Sequence, residues 1–428
     1  VTDTARTHQD VIDGVDPSGL VDAVVRAVAI PSMGGTPAEM HAQEFFAEQW
    51  QADGLDVDTW SLDIETLASR PDFCGMEVPR SEGLGVLARL PGSGGGATLA
   101  LLGHTDVVPP GDVAAWSGDP FRPTVHNGMI TGRGTADMKA GLVAAWFAVR
   151  MLQQANVRLL GDVVLAAVSG EEDGGLGTYA LLDALPRRHP DLHIDACVIP
   201  EPTDLDVVPA NGGALTFRLI VRGAATHASR RTEGVSAIEK FSLALAALTD
   251  LESARNAQVD PLMQRWPVAY PLSIGTVHAG DWASTVPDLC IAEGRLGVAL
   301  DETPAQARAA LESTLSSLCA KDPWLSDHPI EVQWWGGQFA PGRTDPSHPL
   351  ISTIRSAHTE ISGSTPDIYG GPYGSDLRQL VGAGIPTVQY GPGDSRVAHA
   401  PNEHVAIADI VVCARTLALT AMRTCGVK

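Results

Sequence analysis

The sequence predicts an α/β protein: a mixed-sheet domain assembled from both ends of the chain, with a smaller βαββαβ unit inserted between them. Three observations lead there. Apolar runs at 98–102, 162–168 and 196–199 each end in histidine or acidic residues, as buried strands do when their C-terminal ends carry a ligand site. A strongly apolar helix-period segment at 140–154 lies between the first two runs. From 215 to 335 the texture changes to alternating strands and two helices in the order β-α-β-β-α-β, the order of a ferredoxin-like unit. The predicted division is 1–210 and 339–428 for the divided domain and 211–338 for the insertion.

Taken in order, 20–29 and 38–51 read as amphipathic helices, separated by the turn Pro31-Ser32-Met33-Gly34-Gly35. Residues 55–60 alternate as a strand, 66–83 read as a surface loop, and 84–90 as a strand. Gly92-Ser93-Gly94-Gly95-Gly96 then predicts a hairpin loop; it lacks the Gly-Lys-Ser/Thr of a phosphate loop and leads into a strand. Within the insertion, strands are expected at 215–222, 270–278, 289–300 and 330–335, and helices at 234–251 and 304–320. Helices at 350–362, 376–381 and 407–422 and a strand at 387–390 return the chain to the first domain.

A chain of 428 residues is too long for one hydrophobic core. Its 51 acidic and 29 basic residues give a net charge of −22, which argues against nucleic acid or an anionic membrane as partner. Cys74, Cys197, Cys290, Cys319, Cys413 and Cys425 show no CxxC and no short spacing, so they read as reduced thiols. The polar, acidic first sixteen residues lack the apolar core of a signal peptide. No apolar run approaches the ~18 residues of a membrane span, and the expected compartment is the cytoplasm.

The chemistry concentrates at the strand ends. Gly132-Arg133-Gly134-Thr135-Ala136-Asp137-Met138-Lys139-Ala140-Gly141 places one carboxylate, Asp137, in a glycine-dense turn before an apolar helix. There the free N–H groups of a helix start favour its charged form. His104 and Asp106 follow the first strand, Glu171 and Glu172 the second, Glu201 the third, and His399 lies in Ala398-His399-Ala400-Pro401. Each has an ordinary alternative: an N-cap, a solvated glutamate pair, a structural histidine. Together they are the two-imidazole, several-carboxylate set that suits a borderline cation such as zinc. A pair of ions needs one shared carboxylate and separate terminal ligands. His-x-Asp places His104 and Asp106 on one strand face, where the aspartate can accept from the second ring nitrogen.

The chain resembles the zinc aminoacylase and carboxypeptidase family that includes acetylornithine deacetylase, succinyl-diaminopimelate desuccinylase and glutamate carboxypeptidase. The resemblance rests on Gly103-His104-Thr105-Asp106-Val107-Val108-Pro109, Gly132 to Gly141, Ser169 to Glu172, Pro200-Glu201-Pro202-Thr203 and His399-Ala400-Pro401-Asn402-Glu403. It implies that Asp137 bridges two zinc ions, for which cobalt can substitute. One ion would be completed by His104 and Glu201, the other by Glu172 and His399; Asp106 would orient His104, and Glu171 would be the general base. The insertion would be a dimerisation or lid domain of a homodimer. Its His227, in Gly223-Ala224-Ala225-Thr226-His227-Ala228-Ser229, would reach the partner's site to stabilise the oxyanion. Arg295 would take the substrate's α-carboxylate, and Gly374-Ser375-Asp376 matches a segment lining the site. Ser284 stands where many members have asparagine in Asn-Val-Val-Pro, which leaves the substrate class open. The expected activity is hydrolysis of an N-acyl amino acid. The alternatives are a metallo-dipeptidase or carboxypeptidase, and a catalytically silent relative.

Overall fold

The computed structural model describes residues 2–428, with side chains from residue 8 onward. Two compact units divide the chain. The first comprises the chain up to Pro209 with Arg343–Tyr369 and Gln379–Lys428; the second comprises Ala210–Gly342 and Gly370–Arg378.

In the first unit, neighbouring strands of the main sheet run Asp56–Ser61, Leu84–Leu90, Val163–Val168, Leu99–His104, Ala196–Ile199 and Thr387–Gln389. The first two pair antiparallel at one side. The other four run parallel to one another, so their C-terminal ends share one edge. Leu99–His104, Val163–Val168 and Ala196–Ile199 are buried at every residue, because helices cover both faces of such a sheet. Helix Ala140–Gln154 is apolar nearly all round, and packs Val143 and Phe147 into one cluster with Leu101, Leu165 and Leu417 of helix Ile407–Cys425.

The glycine run 92–96 is not a hairpin. Val163–Val168 lies between the two strands that it joins, because Leu99–His104 finds equally buried parallel partners on both sides. The run instead crosses the segment before Val163: Ser93 and Gly94 N–H donate to the carbonyls of Leu159 and Leu160 at 2.9 and 2.8 Å. A Cβ on Gly96 would sit 2.0 Å from the Cys425 carbonyl oxygen, so the glycine serves close backbone approach.

Several elements escaped the periodicity, among them helix Leu176–Arg188 and the short strands Val207–Asn211 and Ile368–Gly371. Thr2–Asp13 is helical despite its polar composition. Ile64–Ala68 forms one helical turn in a stretch read as loop, its N-terminus closed by Thr66 N–H on Asp63 Oδ1 at 3.1 Å. Thr124–His126, Met129–Thr131 and His404–Ala406 form a separate three-stranded sheet, with strands too short to show alternation.

The second unit is an antiparallel sheet in the order Leu272–Ala279, Leu289–Val298, Gly213–Arg222, Glu331–Phe339. Helices Ala237–Arg255 and Pro304–Cys319 bury Phe241, Leu248, Leu311 and Leu315 against Phe217, Leu219 and Val221. The second helix starts at a reciprocal cap between Thr303 and Gln306. This is the βαββαβ unit expected from the sequence, and the chain is an α/β fold with an inserted ferredoxin-like domain.

One glycine fixes the geometry that matters next. A Cβ on Gly141 would lie 1.8 Å from the Pro200 carbonyl oxygen, so the start of helix Ala140–Gln154 rests directly on the end of strand Ala196–Ile199. Gly141→Ala is expected to destabilise the protein by about 1–3 kcal/mol through overpacking, read from urea denaturation. Gly382→Ala, with nothing within 4 Å of the added carbon, should stay within about 0.5 kcal/mol.

Candidate metal centre

The common edge of the four parallel strands assembles the site. His104 is the last residue of its strand, Glu171 and Glu172 lie in the turn after Val163–Val168, and Glu201 lies two residues past Ala196–Ile199. His399 lies in the loop between Thr387–Gln389 and His404–Ala406. Asp137 enters from the irregular turn before helix Ala140–Gln154.

Its carboxylate is the meeting point. Asp137 Oδ1 is 3.0 Å from His104 Nε2, and Oδ2 is 3.4 Å from His399 Nε2. Each ring faces one further carboxylate: His104 Nε2 lies 3.8 Å from Glu201 Oε1, and His399 Nε2 lies 3.0 Å from Glu172 Oε2. Ligand atoms of His104, Asp137 and Glu172 all fall within 4.8 Å of one another. The donors therefore split into His104 with Glu201 and His399 with Glu172, on either side of Asp137. Spacing and chemistry fit divalent cations.

The electrostatics point the same way. Burial opposes charge on His104, but the Asp137 hydrogen bond and the charges of Glu201, Asp106 and Asp137 outweigh it and raise its pKa well above the ordinary value. Burial likewise opposes charge on His399, yet Asp137 and Glu172 push it up to about 11. Burial raises the Glu172 carboxyl, with the Asp137 charge adding to the rise and His399 opposing it. Burial would raise Asp137 too, but its two imidazoles hold it far below the usual range. Without a metal, protons on the rings supply the positive charge that these carboxylates demand.

Two expectations change in detail. His104 Nδ1 meets the main-chain carbonyl of Asp106 at 3.0 Å, whereas the Asp106 carboxylate stands 3.7 Å away. That carboxylate accepts the N–H groups of Glu171 and Glu172 at 3.3 and 3.2 Å. Both its oxygens are engaged by the turn, so Asp106 orients the ring through its backbone. At the Asp137 turn, the N–H groups of Gly134, Ala136 and Asp137 point to Glu403 Oε1 at 2.9–3.0 Å, and the Asp137 carboxylate is left to the histidines. Glu171 itself is buried, 8% exposed.

Several supporting residues were not singled out in the sequence. Lys139, fully buried, donates from Nζ to the carbonyls of Ala27 and Ile30 at 3.0 and 2.8 Å, and burial brings its pKa down to about 7. Arg80 reaches Asp173 Oδ2 at 2.8 Å and Glu39 Oε2 at 2.9 Å, tying the 77–80 segment to the glutamate turn. Asp173 follows Glu171-Glu172 directly in sequence, the only local signal for this link.

In the second unit, His227 is exposed. Its Nδ1 accepts the N–H of Ser229 at 3.1 Å, which assigns the proton of the neutral ring to Nε2. Ser284 is its close neighbour: its carbonyl accepts from Ala228 N–H at 2.9 Å, and His227 bridges to Thr285. Arg295 is exposed, its guanidinium 5.7 Å from the Phe339 ring centre. Arg378 lies over the same ring at 4.0 Å. Asp376 is buried.

A mixed sheet whose strand ends gather imidazoles and carboxylates around one aspartate suits a metal-dependent enzyme. The model of peptidase family M20/M25/M40 matches residues 100–423, and the chain belongs to that family. It is a metal-dependent hydrolase of amide or peptide bonds. The chain is 30% identical over 340 residues to an N-formyl-4-amino-5-aminomethyl-2-methylpyrimidine deformylase of Bacillus subtilis (strain 168), covering 73% of this chain and 76% of the relative. It is 30% identical over 385 residues to a succinyl-diaminopimelate desuccinylase of Methylibium petroleiphilum, covering 88% and 90%. Among solved structures, the Dug1p di-peptidase of Saccharomyces cerevisiae superposes with a TM-score of 0.77 at 16% identity, covering 97% and 98%. Human carnosine dipeptidase 1 gives 0.74 at 16%, covering 98% and 99%. These two likenesses show the fold.

Among the described residues, no helix is long and apolar enough to cross a membrane.

A histidine must be neutral to bind metal, so zinc loading of the metal-free protein at pH 7 should release about two protons per chain. Calorimetry in buffers of different ionisation enthalpy measures this; a heat independent of buffer would contradict it. The metal-free protein should also lose stability as pH rises. A raised histidine stabilises fully below its ordinary value of 6.5 and loses that contribution towards about 11. Solvent at the half-exposed His399 ring moderates the size of the effect.

Proposed function

We propose that the protein is a two-metal amidohydrolase that removes an N-acyl group from an amino acid or similar amine. The observation that carries this reading is the Asp137 carboxylate, whose two oxygens face different imidazoles, each with its own further carboxylate. His104 and Glu201 would hold one ion, His399 and Glu172 the other, and Asp137 both. Zinc suits this mixture of nitrogen and oxygen donors, and cobalt can replace it. Deacylation is favoured over peptide cleavage because the two sequence relatives described above are named for removal of formyl and succinyl groups.

Bound divalent ions supply an acidified water and a polarised carbonyl. Glu171 takes the proton of the attacking water and returns it to the leaving amine. Asp106 holds the backbone of the Glu171–Glu172 turn, and so the direction of both side chains. In the second unit, His227 carries its proton on Nε2, as a donor to an oxyanion must. We infer that it acts in the partner's site of a homodimer, with Arg295 taking the substrate carboxylate and Ser284 beside His227 contacting substrate.

Glu171→Gln should keep both metals and lose roughly 10²–10⁴-fold in kcat, whereas Glu172→Gln should lose metal. Elemental analysis and assays on N-formyl, N-acetyl and N-succinyl amino acids, with dipeptides for comparison, read both. Near-normal turnover of metal-saturated Glu171→Gln would rule out the base. Mixing Glu171→Gln with His227→Ala should restore activity in heterodimers, since one site regains a whole complement. Confirmed heterodimers without activity would sink the cross-subunit role alone.

A further inference from the structure

The two halves of the centre are held by different means. His104 ends one strand of the parallel ladder and Glu201 follows another, and the His104 side chain is 1% exposed. His399 has no strand beneath it: it sits in a loop at φ +62°, with Asn402 at φ +58°, and its side chain is 54% exposed. A left-handed backbone at a non-glycine residue is strained and persists only where surroundings impose it.

Those surroundings converge on Glu403, which is fully buried. Its Oε1 gathers the N–H groups of Gly134, Ala136 and Asp137. Its Oε2 accepts from Arg133 Nη1 at 2.5 Å, and Arg133 Nη2 donates to the His399 carbonyl at 3.1 Å. Gly132 N–H returns to the Glu403 carbonyl at 2.9 Å, and His404–Ala406 pairs with Met129–Thr131. A closed ring of hydrogen bonds therefore runs from the Asp137 backbone through Glu403 and Arg133 to the His399 backbone. The side chains of its two ends meet at 3.4 Å.

Resting on the two-metal reading above, we infer that Glu403 and Arg133 are positioning residues that set the spacing of His399 from Asp137, and so weigh more on metal binding in the His399–Glu172 half than in the other. The carboxylate is essential because every group around it is a donor. A glutamine at 403 presents an amide oxygen to one set and an NH₂ to the other, leaving donors facing donors. A lysine at 133 keeps the charge beside Glu403 but has no second nitrogen held in a plane for the His399 carbonyl.

The test is a cobalt(II) titration of the metal-free full chain, followed by calorimetry and visible absorption, on wild type, Glu403→Gln and Arg133→Lys. Wild type should show two binding events. Each variant should weaken one event about 10–100-fold, the usual effect of disturbing groups behind a metal ligand, and change the tighter event much less. Excess cobalt should restore turnover, which loss of a catalytic group would not allow. Far-UV circular dichroism checks folding, and if Glu403→Gln fails to fold, Arg133→Lys decides. Two unchanged events, or equal weakening of both, would overturn the inference while leaving the two-metal reading intact. A single event in wild type would overturn both.

Discussion

Three carboxylates brought to one sheet edge repel one another, and that repulsion is the constraint on which the rest of the site depends. Asp137 and Glu172 have ligand oxygens within 4.8 Å. At an effective dielectric of about 20, two unit charges at that distance cost roughly 3–4 kcal/mol, a large share of the ~5–15 kcal/mol by which a domain is stable. Glu201, 9% exposed, adds to it. Such a cluster survives only beside positive charge, and the two imidazoles answer first by taking protons. A divalent cation answers better, because it brings two charges to the point where the carboxylates converge. Burial of His104, Glu172 and Glu201 keeps out the water that would otherwise screen this repulsion, and so makes the demand for positive charge.

The scaffold can impose this repulsion because its strands and helix are apolar enough to be immovable. Leu99–His104 and Val163–Val168 are buried throughout, and helix Ala140–Gln154 is wedged against Pro200 with no room for a methyl group. Those packed elements leave the turns and loops between them, the His399 loop above all, to be fixed by polar means. Glu403 does so with an anion enclosed by four donors, an arrangement in which each buried polar group finds its partner. Lys139 fills a comparable place under the Asp137 turn, with its Nζ donating to two carbonyls of the Ala27–Ile30 segment.

The parts legible in the sequence were those with short-range signals. Continuous apolar runs ending in His104, Glu171-Glu172 and Glu201 gave both the strands and the polar residues gathered at their ends, because a buried strand and its terminal residues are contiguous. The βαββαβ insertion was legible for the same reason: its alternation survives without knowledge of partners. Pairing was not. The glycine run 92–96 looks like a hairpin, since nothing local reveals that Val163–Val168 inserts between the flanking strands. Glu403 was visible as part of a motif but not as an acceptor, for the N–H groups it binds lie 266–269 positions away. Asp106 was placed correctly beside His104, yet which of its oxygens faces the ring depends on the turn at Glu171, 65 residues on.

The central claim is that one aspartate joins two metal-binding halves. A zinc-edge anomalous difference map from crystals of the zinc-loaded protein tests it most directly. The account predicts two peaks about 3.5–4 Å apart, one between Asp137, His104 and Glu201, the other between Asp137, His399 and Glu172. A single peak at full zinc saturation, or two peaks of which one lies away from Asp137, would contradict it.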